Sequence, residues 1–171
     1  MNYPAVKKHL SQFYKVLEKR ADKGDTPYNL RNCAYMEDFS RQKIVWKRVG
    51  SILRFSYDES GLMTLDSTCF ATGKQLKFLV AILNSKMGKY LLKDSPQTGT
   101  GDLLISVQAI EPILIPFPEK EVEQCICRLA DSIFNSLSSN LENEDAENEL
   151  NNIVYSMYNL DQAEINFIEG Y

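Results

Sequence analysis

The sequence predicts an α+β fold: a small, twisted, mainly antiparallel sheet with packed helices, followed by a C-terminal helical segment. Three observations predict it. Apolar residues recur at helical spacing on both sides of a central block, residues 43–70, that is rich in β-branched and aromatic side chains. Turn residues separate the strand-length pieces of that block, so a meander is the simplest pairing. After Pro118 the chain is helical in pattern and acidic. Its 171 residues, 44% hydrophobic and 25% charged, suit one folded domain with a helical appendage. The expected organisation is a module over 1–118 and a helical support or docking segment over 119–171.

Residues 3–23 read as one amphipathic helix with the stripe Val6, Leu10, Phe13 and Leu17, Pro4 in its first turn and Gly24 as its C-cap. Residues 25–42 are irregular, since Thr26-Pro27 discourages helix. Three strands follow: Lys43 to Val49 around Ile44-Val45-Trp46; Ile52 to Tyr57, with Leu53, Phe55 and Tyr57 on one face; and Leu62 to Phe70. Asp58 to Gly61 is read as a solvated turn. A second helix spans 74–93. Leu76, Leu79, Val80, Leu83, Met87, Tyr90 and Leu91 form its stripe, and Phe78, Ile82 and Leu92 fall outside it, so it is expected to be covered on more than one side. A loop over Ser95–Asp102, a strand over Leu103–Val107 and a proline-terminated edge over Ile113–Pro118 come next. Beyond them Val122, Ile126, Leu129, Ile133 and Leu137 hold one helical face, and Leu150, Ile153, Val154 and Met157 another. Residues 138–148 read as a loop or frayed linker between the two. Asp161 and Glu164 form a capping-box pattern with Leu160 and Ile165 as its staple.

Several chemistries lack their residues. A lone histidine, His9, and four cysteines without a CxxC pair give no zinc ligand set, and Cys125 and Cys127 would point roughly 200° apart on a helix. No nucleophilic triad, Walker-type loop or helix-leading glycine fingerprint is present. No stretch approaches the ~18 apolar residues that span a membrane, and nothing resembles a signal peptide, so a cytoplasmic protein is expected. The chain alone is expected to be no enzyme and to hold no cofactor or metal.

The charge is distributed unevenly. Residues 1–93 carry 17 Lys+Arg against 8 Asp+Glu, and residues 94–171 carry 2 against 15, within a total of -4. A polyanionic partner suits the first half. The competing account is that the halves neutralise each other across an interface. Arg41, Lys43, Lys47, Arg48 and Arg54 lie within a short span interleaved with Phe39, Trp46, Phe55 and Tyr57. Guanidinium groups on strands suit bidentate contact with guanine, and lysines more often neutralise phosphate. For any one of these residues a solvated sheet face with snorkelling cations is the commoner arrangement; the cluster carries the signal. On charge, the candidate contacts are Arg31, Arg41, Lys43, Lys47, Arg48, Arg54, Lys74, Lys77 and Lys86, with Gly99 and Gly101 as a minor candidate for a backbone cradle.

Some of these residues resemble a known family. Thr26-Pro-Tyr-Asn-Leu-Arg-Asn-Cys-Ala-Tyr35, Phe39 and Lys43-Ile-Val-Trp46 resemble the opening of the TaqI-like C-terminal specificity domain of type IIG restriction–modification enzymes and adenine-specific DNA methyltransferases. Leu79-Val-Ala-Ile-Leu-Asn-Ser-Lys86 resembles a helix of that domain, and Glu149 to Asp161 its tail. Gly99-Thr-Gly101 through Ile115-Pro-Phe-Pro118 and Glu123-Gln124 is similar to the segment ending target-recognition domains of type I restriction specificity subunits. The resemblance implies sequence-specific recognition of double-stranded DNA on behalf of a methyltransferase or endonuclease catalytic domain, in cis or in trans. The Asn-Pro-Pro-Tyr motif of such methyltransferases is absent, so S-adenosylmethionine and Mg are expected only in the parent enzyme, of which this chain is expected to be a fragment. The alternative is a protein-interaction module whose basic half docks an acidic partner.

Overall fold

The computed structural model describes residues 3–139 and 143–171, in two compact units, Met1–Met36 and Glu37–Tyr171. In the first unit the expected single helix is two short ones, α1 (Pro4–Ser11) and α2 (Tyr14–Glu18). The Phe13 N–H bonds the Leu10 carbonyl 2.9 Å away, an i→i−3 closure that ends the first helix. Val6 is 55% and Phe13 48% exposed, so the stripe lacks the buried contacts that sustain a longer helix. Gly24 caps nothing; its N–H bonds Asn29 in a turn after α2 has ended.

A 3-10 turn over Met36–Ser40 opens the second unit, which continues with β1 (Lys43–Lys47), β2 (Val49–Gly50), β3 (Phe55–Asp58), β4 (Thr68–Thr72) and β5 (Leu103–Leu104), the turn's first residue, Met36, being the last of the first unit. The main sheet has the order β3-β1-β4, all antiparallel, with Lys43 opposite both Asp58 and Thr72 and Trp46 opposite both Phe55 and Cys69. The meander is therefore wrong: β1 lies in the middle and β4 reaches its far edge. Two features explain this. Lys43, Ile44 and Trp46 are all buried, more buried positions than any other strand holds, which favours pairing β1 on both edges. The Asp58 carboxylate captures the N–H groups of Ser60 (3.1 Å) and Leu62 (3.2 Å), and strand structure resumes only at Thr68, not at Leu62 as expected. Asp58 itself is a buried strand residue rather than part of a solvated turn. The expected first strand is cut at Arg48, after which β2 pairs with β5 in a separate two-stranded sheet.

The expected helix over 74–93 is two, α3 (Leu76–Asn84) and α4 (Lys86–Leu91). Ser85 is extended between them; its hydroxyl accepts from the Gly88 N–H at 3.1 Å and donates to the Ile82 carbonyl at 2.6 Å. A Cβ on Gly88 would lie 2.3 Å from the Ile82 oxygen and 2.5 Å from that of Leu83, so only glycine allows this approach. Coverage on two sides is as expected. Phe78, Ile82 and Met87 enter one core with Ile126, Leu150, Val154, Tyr155 and Ile168. Leu76, Leu83 and Leu92 enter another with Ile44, Trp46, Phe55 and Ile105. α3 is thus a wall between the sheet and the C-terminal helices.

The expected strand over 103–107 is only the two residues of β5, followed by a single helical turn, α5 (Val107–Ile110). The C-terminal segment is α6 (Lys120–Ser138), α7 (Glu144–Met157) and α8 (Gln162–Glu169). The capping box at Asp161/Glu164 is present, and Leu160 and Ile165 pack on the first core. Of the expected linker over 138–148, residues 140–142, Glu142 included, lie outside the described residues, and Glu144 to Asn148 are helix because Asn143 caps α7 through the Ala146 N–H.

Candidate nucleic-acid interface

The basic candidates are not equivalent once placed. Lys43 is fully buried. Its ammonium donates to the Phe39 carbonyl at 2.7 Å and forms an ion pair with Asp58. Asp58 also accepts from the Ser60 hydroxyl at 2.6 Å, and the Lys43 and Ser60 hydrogen bonds hold its carboxyl down at about 2. Lys43 is thus a structural cation that ties the 3-10 turn and the start of the 59–67 loop to the sheet, and it does not reach the surface as the charge reading expected. The pairing had a sequence signal: the first residue of one strand faces the last residue of its antiparallel neighbour, and here their charges are opposite.

Lys47, Arg48 and Arg54 do reach the surface, and no ion pair holds them among the described residues. Lys47 ends β1 opposite Thr68, and Arg54 immediately precedes β3 where the register would next oppose it to Lys47. Arg48 sits at the kink. Its N–H donates to the Ser67 carbonyl at 3.0 Å, and its own carbonyl accepts from Ile105 at 2.8 Å. The Trp46 indole N–H bonds the Ile105 carbonyl at 2.8 Å, which fixes the same junction from beneath. Burial pushes the Cys69 thiol up against the opposing pull of the nearby Arg48 charge. Asn84, which the sequence reading passed over, bonds both backbone groups of Phe55, accepting from its N–H at 2.9 Å and donating to its carbonyl at 2.8 Å. That clamp fixes the residue after Arg54.

Arg41 is exposed and pairs with Asp38 at 2.9 Å. With Gln42, Thr72 and Gly73 it lines an open cleft of about 370 Å³ at the other end of the sheet. Lys74 is exposed without an ion pair among the described residues. Lys77 bonds Asp131 of α6 at 3.0 Å and lies 5.5 Å from the Tyr57 ring centre. Lys86 pairs with Glu169 of α8, whose carboxylate also accepts from the buried Tyr155 hydroxyl at 2.8 Å. These two contacts hold the Glu169 carboxyl below its ordinary value, and burial together with Glu169 pushes the Tyr155 phenol well up. For Lys77 and Lys86, then, the basic and acidic halves do neutralise each other. Arg31 belongs to the first unit, exposed and without an ion pair among the described residues.

Gly99 and Gly101 sit at the tip of a hairpin closed by the Gln97–Leu103 bridge. Thr98 N–H bonds the Asp102 carbonyl at 2.9 Å, and Gly101, at φ +86°, takes a conformation that favours glycine. A Cβ on Gly99 would meet nothing within 4 Å. The hairpin foot pairs with β2, next to Arg48. Among the described residues no three His, Cys, Asp or Glu side chains gather as a metal site, and no helix is long and apolar enough to cross a membrane.

The family model of the TaqI-like C-terminal specificity domain matches residues 5–113, more than half of the chain. It takes in both short N-terminal helices, both sheets and α3 to α5, and leaves α6 to α8 unmatched. No curated protein matches the chain.

Proposed function

We propose a division of labour within this chain, which belongs to the family of TaqI-like C-terminal specificity domains and so is a non-catalytic DNA-recognition module of restriction–modification enzymes. Arg48 and Arg54 read base edges. Lys47 and Lys74 contact phosphate, joined more weakly by Arg41, Lys77 and Lys86, and the Gly99–Gly101 tip offers backbone donors to the same strand; in the first unit Arg31 is a phosphate contact of its own. α6 to α8 brace the reading surface and stay off the DNA, because their carboxylates would be repelled by phosphate. The catalytic part is a methyltransferase fused to, or associated with, an endonuclease. S-adenosylmethionine and Mg belong there, and this chain supplies neither a cofactor site nor a catalytic group.

One observation carries this reading: Arg48 is an exposed arginine, without an ion pair among the described residues, whose backbone is hydrogen-bonded on both sides. A side chain that starts from a fixed backbone loses less freedom on aiming at a base edge, and arginine matches guanine bidentately. Single alanine variants titrated on the preferred duplex and on a scrambled one, at several salt concentrations, test it. Arg48→Ala is expected to cost roughly 1–3 kcal/mol on the preferred duplex and much less on the scrambled one. Lys74→Ala is expected to weaken both alike and to lower the salt slope by about one unit. Equal losses on both duplexes for Arg48→Ala would make it a phosphate clamp. Under the protein-docking alternative the basic half meets an acidic partner, although Lys77 and Lys86 already pair with Asp131 and Glu169 of the chain itself. That alternative predicts no preference among duplexes.

A further inference from the structure

The loop between β3 and β4, residues 59–67, exposes three large apolar side chains: Leu62 at 65%, Met63 at 67% and Leu65 at 80%. Such a group in solvent is unfavourable unless something covers it. The loop is nonetheless built rather than loose. At one end Asp58 accepts from Ser60 and Leu62; at the other the Thr68 N–H bonds the Leu65 carbonyl at 3.0 Å, and the Ser67 carbonyl accepts from Arg48. The loop thus runs from Asp58, opposite Lys43, to Thr68, opposite Lys47, and at this second end, beyond Leu65, it is hydrogen-bonded to Arg48, the residue best placed to read a base. Its charges fit this position. Glu59 is exposed and close enough to Tyr57 and Lys77 to add to the upward shifts that burial gives Tyr57 and the Asp131 hydrogen bond gives Lys77. Asp66 is the remaining carboxylate; beside base edges such a group accepts from the cytosine amino group.

We propose that Leu62, Met63 and Leu65 determine specificity by packing on thymine C5-methyl groups in the major groove, beside the base pair that Arg48 reads. This rests on the duplex recognition proposed above. Thymine offers the one apolar handle among the base edges, and a methyl can be covered by an apolar side chain but not hydrogen-bonded. A pinned loop loses little freedom on covering it. The occupant is DNA rather than a protein because the exposed groups at the Ser67–Thr68 end of the loop, Lys47, Arg48 and Arg54, are cations that suit the phosphates flanking such a base pair.

The experiment uses the full chain and the duplex it selects from a random pool. Each thymine is replaced in turn by uracil, which removes the methyl and keeps every hydrogen-bonding group. At one or more positions the replacement is expected to weaken binding about threefold to fivefold, the burial of one methyl. In the Leu62→Ala/Met63→Ala/Leu65→Ala variant the same replacement is expected to make no difference, while binding keeps its salt dependence. Because the three side chains are exposed, the variant should melt with the parent. A selected site without A·T pairs, a wild-type chain indifferent to every uracil, or a uracil penalty unchanged in the variant would overturn the proposal. Failure of duplex recognition itself shows differently, as a pool in which nothing is enriched.

Discussion

Replacing Lys43 with methionine is expected to destabilise the second unit by about 3–5 kcal/mol, because it leaves the buried Asp58 carboxylate without its cation. The deficit should depend on pH with a definite sign. In the wild-type fold the Asp58 carboxyl is held at about 2, below its ordinary 3.8. The stability this supplies, about 2 kcal/mol, is fully present above the ordinary value and is lost as pH falls through about 2. Without Lys43 the Ser60 hydrogen bonds still outweigh burial, so the Asp58 carboxyl stays below its ordinary value but by less, and acid costs the variant less stability than it costs the wild type. The wild-type and Lys43→Met stabilities, measured by urea unfolding, should therefore lie furthest apart near neutral pH and converge toward pH 3. A double replacement, Lys43→Met with Asp58→Leu, should recover much of the loss, since a well-packed apolar pair avoids the desolvation of two charges. A single-variant deficit under ~1 kcal/mol, or one independent of pH, would show that the pair is not structural.

Removing the exposed cations should do the reverse. The Lys47→Ala/Arg48→Ala/Arg54→Ala variant is expected to keep its melting transition within about 0.5 kcal/mol per site, as exposed positions without buried partners do. Its affinity for the preferred duplex is expected to fall by about 10²–10⁴-fold: two base contacts at roughly 1–3 kcal/mol each plus one phosphate contact, less whatever these neighbours share. A loss under about fivefold with the fold intact would move the reading surface elsewhere in the chain.

Local patterns made the elements legible and left their pairing obscure. The two-sided burial of α3 was visible because Phe78 and Ile82 fall off a stripe that Leu76 and Leu83 hold, and the structure sends those pairs into different cores. The capping box at Asp161 was visible because it is a four-residue pattern closed by its own side chains. The break at Ser85 was not: the apolar period runs through it, and the Ser85 hydroxyl and Gly88 contact that end the helix are local geometry. The order β3-β1-β4 was hidden because alternation tells which face a residue takes and not which neighbour it pairs with. The same blindness placed Lys43 among the surface cations, although it lies opposite an aspartate. For the interface the sequence located a basic cluster, and only the fold separates Lys47, Arg48 and Arg54 from Lys77 and Lys86, whose charges are met by α6 and α8. Asn84 stood in the family-like segment Leu79–Lys86 with no sign of its role, since its task is to bond the backbone of a residue far along the chain.

The most direct test of the central claim is a binding selection on random duplexes, followed by titration of the enriched sequence and a scrambled control at matched salt. Sequence-specific recognition predicts that one short motif is enriched and that it binds at least about 10³-fold tighter than the scrambled duplex. That preference should collapse with Arg48→Ala while salt-dependent binding remains. An unenriched pool, with equal and salt-dependent binding to every duplex, would contradict it.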